Sequence, residues 1–145
     1  MKKIMMIMAL IMGLAVPGYA KSSYSRDAST LPEAAQATIS NNFKAKPSLI
    51  KKESTVGLFT EYEVILSDGS EITFDKNGNW KEIEMGAGLE VPKSIIPQGI
   101  SNYVNQNFKG QKIISIEKDN NGFDVEITSG VEMKFDNSGK FVKYD

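Results

Sequence analysis

The side chains able to do chemistry in this sequence are nearly all carboxylates. None of the 145 residues is Cys or His, which removes thiol nucleophiles, disulfides, imidazole bases, Ser-His-Asp triads and zinc sites built on thiolate or imidazole. Hydrolysis would then need two carboxylates, one acting as acid and the other as base or nucleophile. Glu71 and Glu132 are the candidates, because they hold matching places in two similar stretches of sequence. Exposed strand faces carry such residues routinely, and that plainer role outweighs the catalytic one. Ser67 and Ser70 flank a turn without a G-x-S-x-G elbow or a His partner, and nothing in the spacing points to a Ser-Lys dyad. Asp75-Lys76-Asn77-Gly78-Asn79 looks superficially like a calcium loop. An EF-hand places Gly at its sixth position between helices, whereas this Gly is fourth and its flanks read as strands, so turn chemistry accounts for it better. No catalytic, cofactor-binding or metal site is therefore expected.

The remaining candidates would bind rather than react. Trp80 and Phe141 are packing residues if they lie on a core face and interface anchors if they project from an open one. Tyr62, Tyr103 and Tyr144 carry the same ambiguity more weakly. Glu61, Glu63, Glu71 and Glu132 alternate with apolar strand residues, so they belong on a face turned away from the core.

Residues 1–20 read as an export signal, with Lys2 and Lys3, an apolar run over 4–16, Pro17-Gly18, and a small-residue end at Ala20. The apolar run is shorter than the roughly 20 residues a membrane-spanning helix requires, and no Cys offers a lipid attachment point. Cleavage would remove two of 17 basic residues, leaving 15 against 18 acidic ones and a net charge of −3. That balance disfavours nucleic acid, which needs a basic stripe. The expected setting is the periplasm or exterior, with no membrane span after cleavage. Residues 21–29, KSSYSRDAS, are polar and aperiodic and read as a flexible leader.

The rest of the chain resembles itself. LPEAAQATISNNFKA at 31–45 aligns with IPQGISNYVNQNFKG at 96–110, and EVILSDGSEITFDKNGNW at 63–80 aligns with DVEITSGVEMKFDNSGKF at 124–141. Two blocks in the same order argue for a duplicated unit. Leu31, Ala35, Ile39 and Phe43 form a helical stripe, as do Ile96, Ile100, Tyr103, Val104 and Phe108. Thr30 and Glu33 have capping-box spacing, with Pro32 in the first turn. Each helix precedes strands of period two. A three-residue or bulged Asp68-Gly69 turn would set Leu66 opposite Ile72 and Val64 opposite Phe74. A three-residue loop ending at Gly78 would bring Phe74 to Trp80, and Phe135 would meet Phe141 in the same way. The expected class is α+β, a tandem duplication of a helix plus roughly four-stranded antiparallel unit, with helices on one sheet face. The expected divisions are residues 30–85 for the first unit, 86–94 for a connector and 95–145 for the second.

The repeated V-x-[IL]-x-x-G-x-x-[IM]-x-F-D-x-x-G-x-[WF] element, preceded by a helix ending in N-F-K, resembles the PepSY-like, or β-lactamase-inhibitor-like, family of small exported bacterial proteins. The likeness spans residues 31–145. It implies a non-catalytic binding domain, inhibitory or regulatory toward an envelope protein, and through related domains in protease propeptides it extends to a peptidase. Inhibition of β-lactamase is not implied, since no inhibitory loop can be matched residue by residue. The leading functional expectation is an exported module that binds a protein or peptide in the envelope. A small-ligand binder with a cleft between helices and sheet is the alternative, and a carboxylate-dependent hydrolase the weaker one.

Overall fold

The computed structural model describes residues 20–55 and 59–145. Apart from Ala20, the expected export signal lies outside them. The elements are β1 (Ala20–Ser25), a single 3-10 turn (Ala28–Thr30), α1 (Glu33–Asn42), β2 (Pro47–Thr55), β3 (Phe59–Leu66), β4 (Glu71–Asp75), β5 (Trp80–Glu84), α2 (Gln98–Asn107), β6 (Ile113–Asp119), β7 (Gly122–Ile127), β8 (Glu132–Phe135) and β9 (Phe141–Tyr144).

Among the described residues all nine strands form one sheet in sequence order, each antiparallel to the next. This corrects the expected fold class. The described residues are mostly β, with strand residues more than twice as numerous as those of the two short helices among them, and they are not a pair of α+β units with a four-stranded sheet each. The difference arises at β5 and β6. An isolated four-stranded unit would leave both strands with unpaired backbone edges, and here they satisfy each other through Glu82↔Glu117, Ile83↔Ile116 and Glu84↔Ser115. The expected flexible leader is also corrected. Lys21 to Ser25 extend the sheet as β1, in register with β2 from Ser54 to Ile50, and Asp27 caps the turn that follows by accepting from the Ser29 N–H. A polar strand gives no period-two signal when it is paired at an edge and neither face is deeply buried.

The core lies between the helices and one sheet face. Leu31, Ala35 and Ile39 from the α1 side and Ile100 and Val104 from α2 join Ile50, Val64, Ile72, Phe74, Ile83, Ile116, Val125 and Phe135 in one cluster. Two local expectations need correction. The Thr30/Glu33 capping box does not form. Pro32 occupies the N-cap of α1 without a side-chain cap, and the Thr30 hydroxyl instead donates to the Asp27 carbonyl. The β3–β4 turn closes on Leu66 N–H to Ser70 carbonyl, so Val64 faces Ile72 and Tyr62 faces Phe74, two residues from the expected pairing. A shift by two keeps every side chain on its face, which is why apolar alternation could not distinguish these registers. The β4–β5 hairpin brings Phe74 opposite Trp80, and Phe135 faces Phe141.

That β4–β5 turn also docks α1. Gly78 has φ +85°, and a Cβ there would lie 2.7 Å from the Ala35 nitrogen and 2.9 Å from Pro32 Cβ. Gly69 has nearly the same φ with nothing within 4 Å. Gly78→Ala is therefore expected to lower stability by about 2–3 kcal/mol, from left-handed strain plus collision with the helix. Gly69→Ala should cost only about 1 kcal/mol, from strain alone. Urea denaturation of both variants checks this, and equal losses would contradict docking of the turn on α1.

Candidate functional site

Residues alternating with the core form transverse rows on the other sheet face. Following the register across neighbouring strands, one row runs Lys51, Glu63, Thr73, Glu82, Glu117, Asp124, Lys134. A second, two residues along each strand, runs Glu71, Glu84, Ser115, Glu126, Glu132. Two cations stand on the outer strands of the first row, and a third, Lys81, stands on β5 itself. Lys51 lies 2.9 Å from Glu53 and 3.4 Å from Glu63, Lys134 lies 2.8 Å from Asp124 and 3.5 Å from Asp145, and Lys81 lies 2.8 Å from Glu61. At the centre Glu82 and Glu117 oppose each other directly, and neither has an ion-pair partner among the described residues.

Like charges on opposed strand positions repel at Cβ separations of about 5 Å. Glu82 is accordingly pushed up to about 7, first by burial and then by Glu117, Glu84, Glu61 and Glu71. Glu117 is raised by burial and by Asp124 and Asp119, against the pull of Lys134 and Lys81. In the second row burial raises both Glu71, with help from Glu63, and Glu84, with help from Glu71 and Glu126. The Lys51 ammonium is held up, against its own burial, by Glu53 and Glu63. Ser115 stands in register between Glu84 and Glu126, is 2% exposed, and its Oγ has no hydrogen-bond partner among the described residues. A buried hydroxyl left unpaired is costly. The face thus holds, in Glu82 and Glu117, two opposed carboxylates that form no ion pair among the described residues.

The structure separates the candidates chosen from sequence. Glu63 falls in the first row, and Glu61 lies on the same face beside Lys81. Glu71 and Glu132 stand at opposite ends of the second row, four strand spacings or roughly 19 Å apart. Paired carboxylates in glycoside hydrolysis stand only about 5–9.5 Å apart, so these two cannot act as such a pair. Trp80 packs toward the core, its ring 6.4 Å from Phe123. It also borders a groove of about 680 Å³ shared with Glu61, Lys81 and Glu117. Phe141 stacks on Tyr103 at 4.4 Å and meets Phe135 edge-on at 5.9 Å. Neither aromatic belongs to the carboxylate rows. The central residues Glu82, Glu84, Ser115 and Glu117 escaped the sequence reading. Their signal was the alternation Glu82-Ile83-Glu84 and Ser115-Ile116-Glu117 around buried isoleucines, but their juxtaposition depends on which strands pair.

Protonation of this face is coupled to stability. Because the folded-state value for Glu82 lies above that of an unfolded glutamate, the folded chain binds more protons between about pH 4.5 and 7. Its contribution is fully present below that window and is lost as pH rises through it. The unfolding free energy measured by urea denaturation should therefore fall from pH 5 to pH 8, by on the order of 1–2 kcal/mol after allowance for solvent screening. Glu82→Gln should raise stability at pH 8 and flatten the dependence, whereas an unchanged pH profile in that variant would contradict the assignment.

Residues 60–143 match the family described as "Putative beta-lactamase-inhibitor-like, PepSY-like". No curated protein matches the chain. Among solved structures, one described as a "putative periplasmic protein of unknown function" from Bacteroides vulgatus is 36% identical, covering 86% of this chain and 99% of its own at a TM-score of 0.81. A second from Bacteroides vulgatus, also described as a putative periplasmic protein, is 29% identical over 86% and 97% of the two chains, with a TM-score of 0.78. A "putative calcium-regulated periplasmic protein" from Bacteroides thetaiotaomicron is 34% identical over 87% and 96%, also at 0.78. The periplasmic setting of these neighbours agrees with the export expected from residues 1–20, and no helix among the described residues is long and apolar enough to cross a membrane. The chain belongs to the PepSY-like, β-lactamase-inhibitor-like family.

Proposed function

We propose that this chain is a non-catalytic binding module of the periplasm, regulatory or inhibitory toward an exported protein or peptidase, and that it receives a basic polypeptide segment across its carboxylate face. The observation that carries this reading is the central Glu82–Glu117 apposition, in which neither carboxylate forms an ion pair among the described residues. A lysine or arginine between the two carboxylates would relieve their repulsion. The flanking lysines would limit the cationic stretch to the middle strands. Without such a partner the face bears a repulsion that lowers stability, as expected of a surface kept for binding rather than for the fold.

Calcium is not the ligand we propose. The neighbour from Bacteroides thetaiotaomicron is described as calcium-regulated, but in this chain the Asp75 carboxylate accepts from the N–H groups of Asn77 and Asn79 and serves the turn. Among the described residues no three acidic side chains are grouped to hold a metal ion.

An alternating Lys–Val octapeptide titrated into the protein should bind saturably, more tightly at pH 8 than at pH 5 and more weakly as salt rises. The double substitution Glu82→Gln and Glu117→Gln should weaken it by about tenfold or more, while a Glu–Val octapeptide should not bind. Absence of saturable binding, or affinity unchanged in the double variant, would contradict the proposal.

A further inference from the structure

The two helices leave different spaces between themselves and the sheet. Beside α2 only about 40 Å³ remains, because the connector runs into the gap. Val91 is 1% exposed there, its N–H donates to the Ile113 carbonyl at 2.8 Å, and Glu90 and Lys93 border the opening. Beside α1 a cleft of about 650 Å³ stands open between the helix and the start of β2, within the roughly 300–1,000 Å³ typical of ligand sites. The route from β1 to α1 is short, through a single 3-10 turn, and no described segment takes the place that Val91 fills next to α2. Leu31, Ile39 and Phe43 supply the apolar wall, and Arg26, Lys44 and Lys46 stand around it. These three side chains have no ion-pair or hydrogen-bond partner among the described residues.

We propose that the α1 cleft receives an extended segment of another protein, with an aliphatic side chain seated in the cleft and acidic neighbours meeting Arg26, Lys44 and Lys46. The occupant is argued from two features. The chain's own connector shows the mode of filling, an aliphatic side chain preceded by Glu90 and held by a backbone hydrogen bond to the first residue of a strand. The unpaired cations give the charge that an incoming segment should complement, opposite in sign to the partner of the carboxylate face. A cleft that buries an aliphatic anchor and leaves charges at its rim has the anatomy of a protein-binding hot spot. This site is separate from the carboxylate face and does not depend on it.

A fluorescein-labelled heptapeptide copying residues 88–94, with Lys93→Glu to make it acidic, tests the proposal by anisotropy with the exported protein. Saturable one-to-one binding is expected, weakened about tenfold or more by Val91→Asp in the peptide. The same loss is expected from Arg26→Glu, Lys44→Glu and Lys46→Glu together in the protein, exposed changes whose native fold circular dichroism verifies. The Glu82→Gln and Glu117→Gln variant should bind the peptide unchanged, which separates failure of this site from failure of the carboxylate face. No binding, or binding indifferent to the three charge reversals, would overturn the proposal. So would displacement of the peptide by dodecanoate at stoichiometric concentration, which would assign the cleft to an alkyl anion. Concentration-dependent dimers in which the cleft is occupied by a second copy would overturn it too.

Discussion

Three residue pairs join β5 to β6, and the architecture depends on them. In the middle pair Ile83 faces Ile116, both fully buried, and each contributes on the order of 2 kcal/mol of apolar burial. Either side of it, strand alternation turns Glu82, Glu117 and Glu84 to the opposite face. The same backbone pairing that removes two sheet edges and joins the core therefore forces two carboxylates together. Apolar gain beneath and electrostatic cost above are inseparable at this junction, because successive side chains in a strand must point to opposite faces.

That coupling gives the molecule two surfaces of opposite character. Across the open face Lys51, Lys81 and Lys134 pair with Glu53, Glu63, Glu61 and Asp124, and the opposed Glu82 and Glu117 at the middle form no ion pair among the described residues. On the helix side, the connector fills the space beside α2, and the short link before α1 leaves its counterpart open with cations around it.

The sequence was informative wherever one residue type dictates local geometry. Gly78 and its Asp75 partner marked the β4–β5 turn, and the alternation around Phe74 and Phe135 identified their cross-strand aromatic partners. Leu31, Ala35 and Ile39 marked the inner face of α1. It was silent where the outcome depends on elements distant in sequence. Nothing local in Glu82-Ile83-Glu84 says that Ile116 lies beside it, so a continuous nine-stranded sheet could not be told from two smaller ones. The polar segment 21–25 carries no period because its pairing to β2 is made by backbone groups, which every residue possesses. Glu71 and Glu132 looked like one site because their sequence contexts match, yet matching contexts in different strands place residues apart.

Native-state hydrogen exchange at the β5–β6 junction tests this account most directly. The Met85 amide donates to the Ile114 carbonyl across the junction, and in a single cooperative sheet it should exchange only through global unfolding, with the same free energy as core amides of β3 and β7. Exchange of this amide at markedly lower free energy, while β3 and β7 stay protected, would show two separately folding sheets and contradict the account.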